Sequence, residues 1–359
     1  MAWVEEDGEV HAVTVQQNPP WGLDRIDQRN LPLNSIYDYQ GTGAGVNVYV
    51  MDTGIRVTHT DFGGRAVGAY TSILDGQGTN DCNGHGTHVA ATLGGATFGA
   101  AKNVRLHAVR VLDCTGNGSW SSVISGVNWV TANHVKPAVA NMSLGGFGNT
   151  TVDAAIQGSI DAGIVYVVSA GNDWTDACTY SPARVGPAIT VGASNANDSG
   201  AVFTNQGTCL DIFAPGDGVL SAWNTTDTAT NILTGTSMAS PHVAGVAAVY
   251  LSAHKTAPPY DVANAIVGWG TPNVLTAVAI GSPNLLLNTS VCNGAPCCTP
   301  KTCADFGSGF CGSVSNGCGG TLTCGCSGLG LRCYDPDLQE YYWSRMKCSS
   351  GKCVVNPCY

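Results

Sequence analysis

The chain has 359 residues and a formal net charge of −10, and only 11% of its residues are charged. Nucleic-acid binding requires a basic patch, which a weakly charged acidic chain does not favour, and no apolar run approaches the length of a membrane span. We therefore expect no nucleic-acid partner and no membrane segment. The length allows one large domain and a small one.

The 16 cysteines indicate where the chain divides. Twelve of them lie between Cys292 and Cys358, whereas the first 290 residues contain only Cys82, Cys114, Cys178 and Cys209. Such density is typical of a disulfide scaffold, and hence of an oxidising extracellular setting. A zinc cluster is the alternative, but the segment has no histidine and no repeated C-x-x-C pairs. We predict a secreted protein with a cysteine-rich module over residues 290–359.

In chain order, the first predicted element is a buried strand over residues 46–51, which are β-branched and alternate in polarity. Its carboxyl end is followed by Asp52-Thr-Gly54. Catalytic groups of open α/β sheets collect at that edge of the sheet. Taken alone, Asp52 fits an ordinary turn at the end of a strand equally well.

The second element is a helix that begins in Asn83-Gly-His-Gly-Thr-His88. His85 lies between two glycines at the start of this helix, which leaves its ring room to meet a substrate. It could also be an ordinary histidine. One turn further on, His88 is predicted to pack in the interior.

The most informative segment is Gly235-Thr-Ser-Met-Ala-Ser-Pro-His-Val-Ala-Gly245. Gly235 permits a sharp turn, and residues 238–251 form a small apolar run that predicts a buried helix. Pro241 lies early in this helix, where a missing N–H costs little. An oxyanion beside Ser237 would face unpaired backbone N–H groups and the positive end of the helix dipole. On this segment alone, an ordinary helix cap is a simpler interpretation than a catalytic serine.

A serine nucleophile needs a base within reach, and the base needs a third group to orient it. Asp52, His85 and Ser237 supply these groups, and their three motifs resemble the signatures of the subtilisin-like serine proteases, in that family's order. The resemblance is to the proteinase K and aqualysin branch. It extends through the segments 21–28, 141–146 and 169–173 and covers roughly residues 14–289.

The resemblance implies an α/β fold with three layers and a mostly parallel central sheet. It also implies that Ser237 attacks the scissile carbonyl, that His85 is the general base and that Asp52 orients it. Asn172 would complete the oxyanion hole together with the Ser237 backbone N–H. Without the resemblance, Asn172 would be a turn residue after a predicted strand over residues 164–170.

The segments 116–118 and 143–146 resemble the family's two substrate-binding edges, which pair with an extended peptide. Ala170 and Gly171 would line the first specificity pocket with small uncharged groups. No acidic residue lies in these segments, so we predict apolar or aromatic residues before the cut. Trp120 would wall a more distant pocket or belong to the core. The predicted edge residues are Gly116, Gly118, Trp120, Ser143, Leu144 and Gly145.

Two structural Ca²⁺ sites are also implied by the resemblance. Carboxylate and carbonyl oxygens are suitable ligands for this cation. Asn34 replaces an aspartate of close relatives at the second site, which should weaken binding there. Without the resemblance, these acids would be ordinary solvated surface. The first site would use Asp211 with the carbonyl groups of Gly186 and Ala188, and the second would use Asp24, Asp27 and Gln28.

The resemblance to aqualysin implies the disulfides Cys82–Cys114 and Cys178–Cys209. Each would close a loop of about 30 residues and contribute roughly 3 kcal/mol by restricting the unfolded chain. The connectivity of the twelve later cysteines stays open.

Both ends of the chain also resemble known segments. Residues 1–13 resemble the last strand of an inhibitory propeptide, and we predict self-cleavage between Ala12 and Gln17. Residues 290–359 resemble modules of secreted bacterial enzymes, and Tyr341-Tyr-Trp343 would either hold an insoluble polymer or glycan or pack over disulfides. The expected partners are polypeptide substrates and the chain's own propeptide, and the expected state is a monomer.

The sequence also has two interpretations other than a serine protease. Aspartic proteases also carry an Asp-Thr-Gly motif, but they need two carboxylates that share a proton, and this chain has one copy. The non-enzymatic alternative is an inactive fold of the same family that serves as a binding module through its tail.

Overall fold

The computed structural model describes residues 15–289 and, beyond them, eight short strands within residues 291–354. The chain divides into two compact units, Met1–Ser290 and Val291–Tyr359. The predicted propeptide remnant, residues 1–13, lies outside the described residues. So do the side chains of Tyr341, Tyr342 and Trp343.

The first unit is built on a nine-stranded sheet. The strands of this unit are β1 (Val15–Gln17), β2 (Ile36–Asp38), β3 (Asn47–Asp52), β4 (Ala66–Thr71), β5 (Arg105–Arg110), β6 (Ala138–Met142), β7 (Gly146–Phe147), β8 (Val165–Ser169), β9 (Tyr180–Ser181), β10 (Ile189–Ser194), β11 (Ile212–Pro215), β12 (Val219–Ala222), β13 (Thr230–Leu233), β14 (Thr271–Pro272) and β15 (Leu285–Leu286). The sheet order is β14-β15-β11-β10-β8-β6-β3-β5-β4. All neighbours in it are parallel except β14 and β15. The pairs β1-β2, β7-β9 and β12-β13 are separate antiparallel ribbons.

Helices cover both faces of the sheet. They are α1 (Trp21–Ile26), α2 (His85–Gly94), α3 (Trp120–Asn133), α4 (Thr150–Asp161), α5 (Thr236–Ala253) and α6 (Pro259–Trp269), with short 3₁₀ turns at Thr60–Phe62 and Ala177–Thr179. One apolar core lies between the sheet and α2, α5 and α6, and the other lies between the sheet and α3 and α4. The arrangement therefore has three layers, with helices on both sides of a mostly parallel sheet.

Strand β3 shows how the sequence produces this layering. Val48 and Val50 belong to the first core, whereas Tyr49 and Met51 belong to the second. Successive side chains of a strand point to opposite faces, so a strand between two helical layers must be apolar on both. The predicted strand is confirmed, and it begins and ends one residue later than predicted.

Helix α5 is buried along most of its length, as predicted, although it begins at Thr236, two residues before the predicted start. Its small residues let it approach α2 closely. A Cβ atom on Gly245 would lie 2.8 Å from the Cβ of Ala100 and 2.9 Å from the carbonyl oxygen of Leu93. Glycine at this position therefore allows the two helices that carry Ser237 and His85 to pack together.

The described residues of the second unit form four antiparallel strand pairs. The strands are β16 (Val291–Cys292), β17 (Ala295–Pro296), β18 (Gly312–Ser315), β19 (Thr321–Cys324), β20 (Arg332–Asp335), β21 (Glu340–Trp343), β22 (Lys347–Ser349) and β23 (Lys352–Val354). Among the described residues of the whole chain, no helix has the length and apolar character required to cross a membrane.

Candidate active site

Asp52 is the last residue of β3, and its side chain is fully buried. Its Oδ1 accepts hydrogen bonds from the backbone N–H of Thr53 and from Nδ1 of His85, each at 2.7 Å. Its Oδ2 is buried and has no hydrogen-bond partner among the described residues. A buried carboxylate oxygen without a donor is costly, and a positive charge on the adjacent imidazole would offset that cost.

His85 is the first residue of α2, and 24% of its side chain is exposed. Burial alone would lower its pKa, but the charge and hydrogen bond of Asp52, with a smaller contribution from the charge of Asp81, raise the pKa above its ordinary value. Because Nδ1 donates to Asp52, the neutral ring carries its free lone pair on Nε2. This is the arrangement that a general base requires.

Ser237 is the second residue of α5, and its Oγ donates to the carbonyl oxygen of Ser143 at 3.2 Å. The hydrogen bond from Ser237 to Nε2 of His85, which the triad needs, is not formed in this rotamer. The physical reason is that the hydroxyl rotates about the Cα–Cβ bond and, without substrate, donates to the nearby carbonyl oxygen of Ser143. Catalytic hydrogen bonds often form only when substrate is bound.

Asn172 is held by Thr236, the residue before Ser237. Its Oδ1 accepts from the backbone N–H and from the Oγ1 of Thr236, each at 2.9 Å. The amide nitrogen is therefore directed away from Thr236. A Cβ atom on Gly235 would lie 3.6 Å from Nδ2 of Asn172 and 3.7 Å from the backbone nitrogen of Ser237. Both predicted oxyanion donors thus border the same space.

A cleft of about 640 Å³ runs past His85. Of the predicted substrate contacts, it brings together both edge segments and Trp120. Its apolar wall also includes Leu112 and Val123, which the sequence analysis missed because each resembles an ordinary core residue. The lining residues are Thr53, Asn83, His85, Leu112, Thr115, Gly116, Asn117, Gly118, Ser119, Trp120, Val123, Ser143, Leu144, Gly145 and Gly146.

Trp120 lies both in the core and at the cleft, the two positions that the sequence analysis left open. Its ring packs against the core under α3 and α4 and also lines the cleft. A Cβ atom on Gly146 would lie 3.0 Å from its Cζ2 atom. Trp120 therefore touches the segment that forms the opposite edge of the cleft.

The predicted first-pocket residues lie outside that cleft lining. The side chain of Ala170 is fully buried in a small apolar cluster. Gly171 has a φ of +101°, and a Cβ atom there would lie 2.3 Å from Nδ2 of Asn205, so only glycine is suited to this position. Its N–H donates to Oγ1 of Thr236 at 3.2 Å. This bond places Gly171 next to the residue that precedes Ser237.

Two residues missed by sequence reasoning fix the backbone of the site. Thr53 accepts from the N–H of Gly86 through Oγ1 at 2.9 Å, which ties the residue after Asp52 to the residue after His85. Thr236 holds Asn172, as described above. Thr53 follows Asp52 and Thr236 precedes Ser237, so both could have been identified from their position next to a predicted catalytic residue.

At the first predicted calcium site, Asp211 lies against the start of β10. Its Oδ2 accepts from the N–H of Thr190 at 2.8 Å, and burial raises its pKa to about 6. Gly186 and Ala188, which would supply carbonyl oxygens, lie in the turn that leads into this strand. Such a half-buried carboxylate beside a turn is compatible with a hard cation.

The second predicted site lies at the end of α1. Asp24 accepts from the N–H groups of Asn34 and Ser35. Asp27 accepts from the N–H of Asp38 at 2.6 Å. Burial, followed by the charges of Asp24 and Asp38, raises the pKa of Asp27 to about 7. Nε2 of Gln28 donates to the carbonyl groups of Asn30 and Pro32, which leaves its Oε1 as the side-chain atom that could act as a ligand.

Both predicted disulfides, Cys82–Cys114 and Cys178–Cys209, are present. Cys82–Cys114 joins the segment before His85 to the segment before Gly116. With Asp75, these two cysteines form the one described group of three residues spaced for a metal. Disulfide sulfurs are not thiolate ligands, so this group is not a metal site.

The subtilase family model matches residues 43–274. The chain belongs to the subtilase family. It is 58% identical over 289 residues to the extracellular serine proteinase of Thermus sp. strain Rt41A, which covers 80% of this chain and 70% of that protein. It is 49% identical over 278 residues to alkaline serine exoprotease A of Vibrio alginolyticus, covering 77% of this chain and 52% of that protein.

The structural comparison agrees with the sequence comparison. A crystal structure of a cold-adapted subtilisin-like serine proteinase matches with a TM-score of 0.75 and 47% identity, over 77% of this chain and all of that one. The predicted family and fold are therefore confirmed. The chain is a serine endopeptidase of a family whose general mechanism uses serine, histidine and aspartate.

Proposed function

We propose that this subtilase is a secreted endopeptidase that uses Ser237 as nucleophile, His85 as general base and acid, and Asp52 to orient the imidazole. The observation that carries the proposal is the 2.7 Å bond between Nδ1 of His85 and a fully buried Asp52. It leaves Nε2 free to accept a proton, and it provides a negative charge beside the imidazolium that results.

In the first half of the reaction, Ser237 Oγ leaves the carbonyl of Ser143 and turns to Nε2 of His85. The Oγ atom bonds to the substrate carbonyl carbon while its proton passes to Nε2. The resulting oxyanion takes hydrogen bonds from Nδ2 of Asn172 and the backbone N–H of Ser237. The C–N bond then breaks, and His85 returns the proton to the leaving amine.

In the second half, His85 takes a proton from water, and the hydroxide attacks the acyl-enzyme. Collapse of the second tetrahedral intermediate breaks the bond to Oγ of Ser237 and releases the carboxylic acid. The proton on Nε2 returns to Oγ. No other group is needed to balance the protons.

We propose that an extended substrate pairs with the backbone of residues 116–118 and 143–145, which border the cleft on two sides. Leu112, Trp120 and Val123 give the cleft an apolar wall. Ala170 and Gly171 would present uncharged groups at the residue before the cut. The expected specificity is broad, with a preference for apolar or aromatic residues before the scissile bond.

Structural calcium is proposed at two places. Asp211 would hold one ion with the carbonyl groups of Gly186 and Ala188, and Asp24, Asp27 and Gln28 would hold the other. The partial burial of Asp211 and the burial of Asp24 support these sites because a carboxylate withdrawn from water is stabilised by a cation. When bound, calcium restrains the loops that it joins.

Secretion is supported by the two disulfides and by the Thermus relative, which is named as extracellular. We further propose that residues 1–13 are the remnant of a propeptide cut between Ala12 and Gln17, that the mature enzyme is a monomer, and that residues 290–359 form a separate module that holds an insoluble polymer or glycan.

The test is hydrolysis of chromogenic peptides by the calcium-loaded protein. Peptides with an aromatic residue before the cut should be hydrolysed faster than those with Lys or Asp. Ser237→Ala should abolish turnover, whereas Ser252→Ala, which removes a hydroxyl from the far end of the same helix, should not. If Ser237→Ala were as active as the parent protein, Ser237 could not be the nucleophile. If the parent protein folded but hydrolysed no peptide, the binding-module alternative would be favoured.

A further inference from the structure

Asp81 lies four residues before His85 and is only 3% exposed. Its Oδ1 accepts from Oγ1 of Thr53 and from the N–H groups of Asn83 and Gly84, at 2.8 to 3.0 Å. Its Oδ2 accepts from the N–H and the Oγ1 of Thr87, at 2.8 and 2.6 Å. Among the described residues, no lysine or arginine lies within ion-pair distance of this carboxylate. Its charge is therefore balanced by five hydrogen bonds from neutral donors.

These donors belong to the two backbone segments that carry the proposed acid and base. Thr53 follows Asp52, while Gly84 and Thr87 lie on either side of His85. Oγ1 of Thr53 also accepts from the N–H of Gly86. One carboxylate thus joins the end of β3 to the first turn of α2.

The backbone is closely packed where the first turn of α2 meets the segment that follows β3. A Cβ atom on Gly86 would lie 2.1 Å from the carbonyl oxygen of Gly54. A Cβ atom on Gly84, whose φ is +116°, would lie 2.4 Å from the Trp223 ring. The start of α2 therefore has little freedom to adjust if its hydrogen bonds to Asp81 are removed.

We propose that Asp81 is a positioning residue: it holds His85 against Asp52 and adds a second negative charge beside the imidazolium that forms during the reaction. The inference rests on the proposed roles of Asp52, His85 and Ser237. Because a misplacement of reacting groups by about 1 Å can reduce the rate about 100-fold, a group that fixes this junction bears directly on turnover.

Three charged or titratable groups face His85. Asp52 approaches from β3, Asp81 from the loop before α2, and His88 from α2 itself. Burial lowers the pKa of His88 to about 4, so His88 is neutral at the pH of the reaction. The charges of the two carboxylates both raise the pKa of His85. Removing the charge of Asp81 should therefore lower that pKa and allow the neutral base to persist to lower pH.

The test is Asp81→Asn, measured as kcat, KM and the pH dependence of kcat/KM. The amide keeps the shape of the side chain, but its NH₂ group would face donors. We expect kcat to fall about 10- to 100-fold with little change in KM. The acid limb of kcat/KM should move to lower pH.

The matched control is Asp61→Asn. Asp61 is also a buried aspartate, 6% exposed, and it lies at the other end of α2, where it accepts from the N–H of Thr97. Its variant should keep the acid limb of the parent enzyme. A purely structural role for Asp81 would give both variants the same pH profile, and that result would overturn the inference.

A second readout is independent of turnover. In a Ser237→Ala background, the NMR titration of His85 should move to lower pH when Asp81→Asn is added, and should stay in place when Asp61→Asn is added. An unmoved titration would overturn the inference even if kcat of Asp81→Asn fell, because a loss of turnover alone could come from a local rearrangement. Failure of the parent protein to hydrolyse any peptide would instead refute the proposed function, whatever Asp81 does.

Discussion

Ser143 and Ser237 exchange two hydrogen bonds. Oγ of Ser143 donates to the carbonyl oxygen of Ser237 at 2.8 Å, and Oγ of Ser237 donates to the carbonyl oxygen of Ser143 at 3.2 Å. The proposed substrate-binding edge and the proposed nucleophile are therefore held together before any substrate binds. Only the second bond must break for Ser237 to turn to His85.

The first bond of this pair predicts the effect of Ser143→Ala. The variant loses the restraint on the carbonyl of Ser237 and leaves Nδ2 of Asn141 without its acceptor. If the restraint contributes about 1.4 kcal/mol to the transition state, which is the size of one hydrogen bond, kcat/KM should fall roughly tenfold. Steady-state kinetics with one peptide will measure the loss, and an unchanged kcat/KM would show that the restraint has no catalytic value.

Asn172 is predicted to act on turnover and not on substrate binding. Asn172→Ala removes the side-chain donor to the oxyanion, which forms only after attack. We expect kcat to fall by a factor of about 10² to 10³ while KM changes little. Asn133→Ala, at the end of α3, is the control and should behave as the parent. A rise in KM with constant kcat would place Asn172 in ground-state binding.

The buried ion pair between Arg25 and Asp198 is predicted to matter for folding. The side chains are 0% and 11% exposed, and their atoms approach to 2.6 Å. Asp198→Asn would leave the buried guanidinium without its charge partner, at a cost of about 3 to 5 kcal/mol in the free energy of unfolding. Urea unfolding in a Ser237→Ala background avoids self-digestion. Asp227→Asn, which breaks the more exposed pair with Arg56, should have a much smaller effect.

Two buried histidines predict how stability depends on pH. Burial lowers the pKa of both His88 and His242 to about 4, so the folded state keeps them neutral while the unfolded chain protonates near pH 6.5. At these two positions the unfolded state therefore binds more protons between pH 4 and about 6.5, and the contribution of the two rings to the free energy of unfolding should rise with pH across that window. Asp27 and Asp211, whose pKa values burial raises to about 7 and about 6, contribute with the opposite sign, so the effect of a ring is read from a comparison of variants.

The measurement is the free energy of unfolding of the Ser237→Ala protein at several pH values. His242→Gln should reduce the slope between pH 4 and about 6.5, and the exposed His254→Gln should leave it unchanged. An unchanged slope in His242→Gln would contradict the neutral state of that buried ring.

Calcium removal is predicted to lower the melting temperature. A ligand present at about 100 times its Kd stabilises the folded state by about 2.7 kcal/mol, and a chelator removes that contribution. In the Ser237→Ala background, Asp211→Asn should reduce the effect of the chelator, and Asp24→Asn should do so less, because Asn34 weakens the second site. An unchanged melting temperature on chelation would refute both sites.

The sequence predicted those parts of the molecule that are determined locally. The strand before Asp52 and the buried helix after Ser237 follow from runs of apolar residues, and the family motifs connected them to His85. The rotamer of Ser237 was not predictable because its acceptor, Ser143, lies 94 residues away in the chain. The hydrogen bond from Thr53 to Asp81 was missed for a related reason, since Thr53 lies 28 residues earlier in the chain, directly after β3.

We propose above that Ser237 is the nucleophile and that His85 and Asp52 activate it. The most direct test is to treat the processed protein with a fluorophosphonate probe and to map the modified residue by mass spectrometry. We expect one adduct, on Ser237, that is lost in Ser237→Ala and formed much more slowly in His85→Ala. An adduct on another residue, or labelling at the same rate without His85, would contradict it.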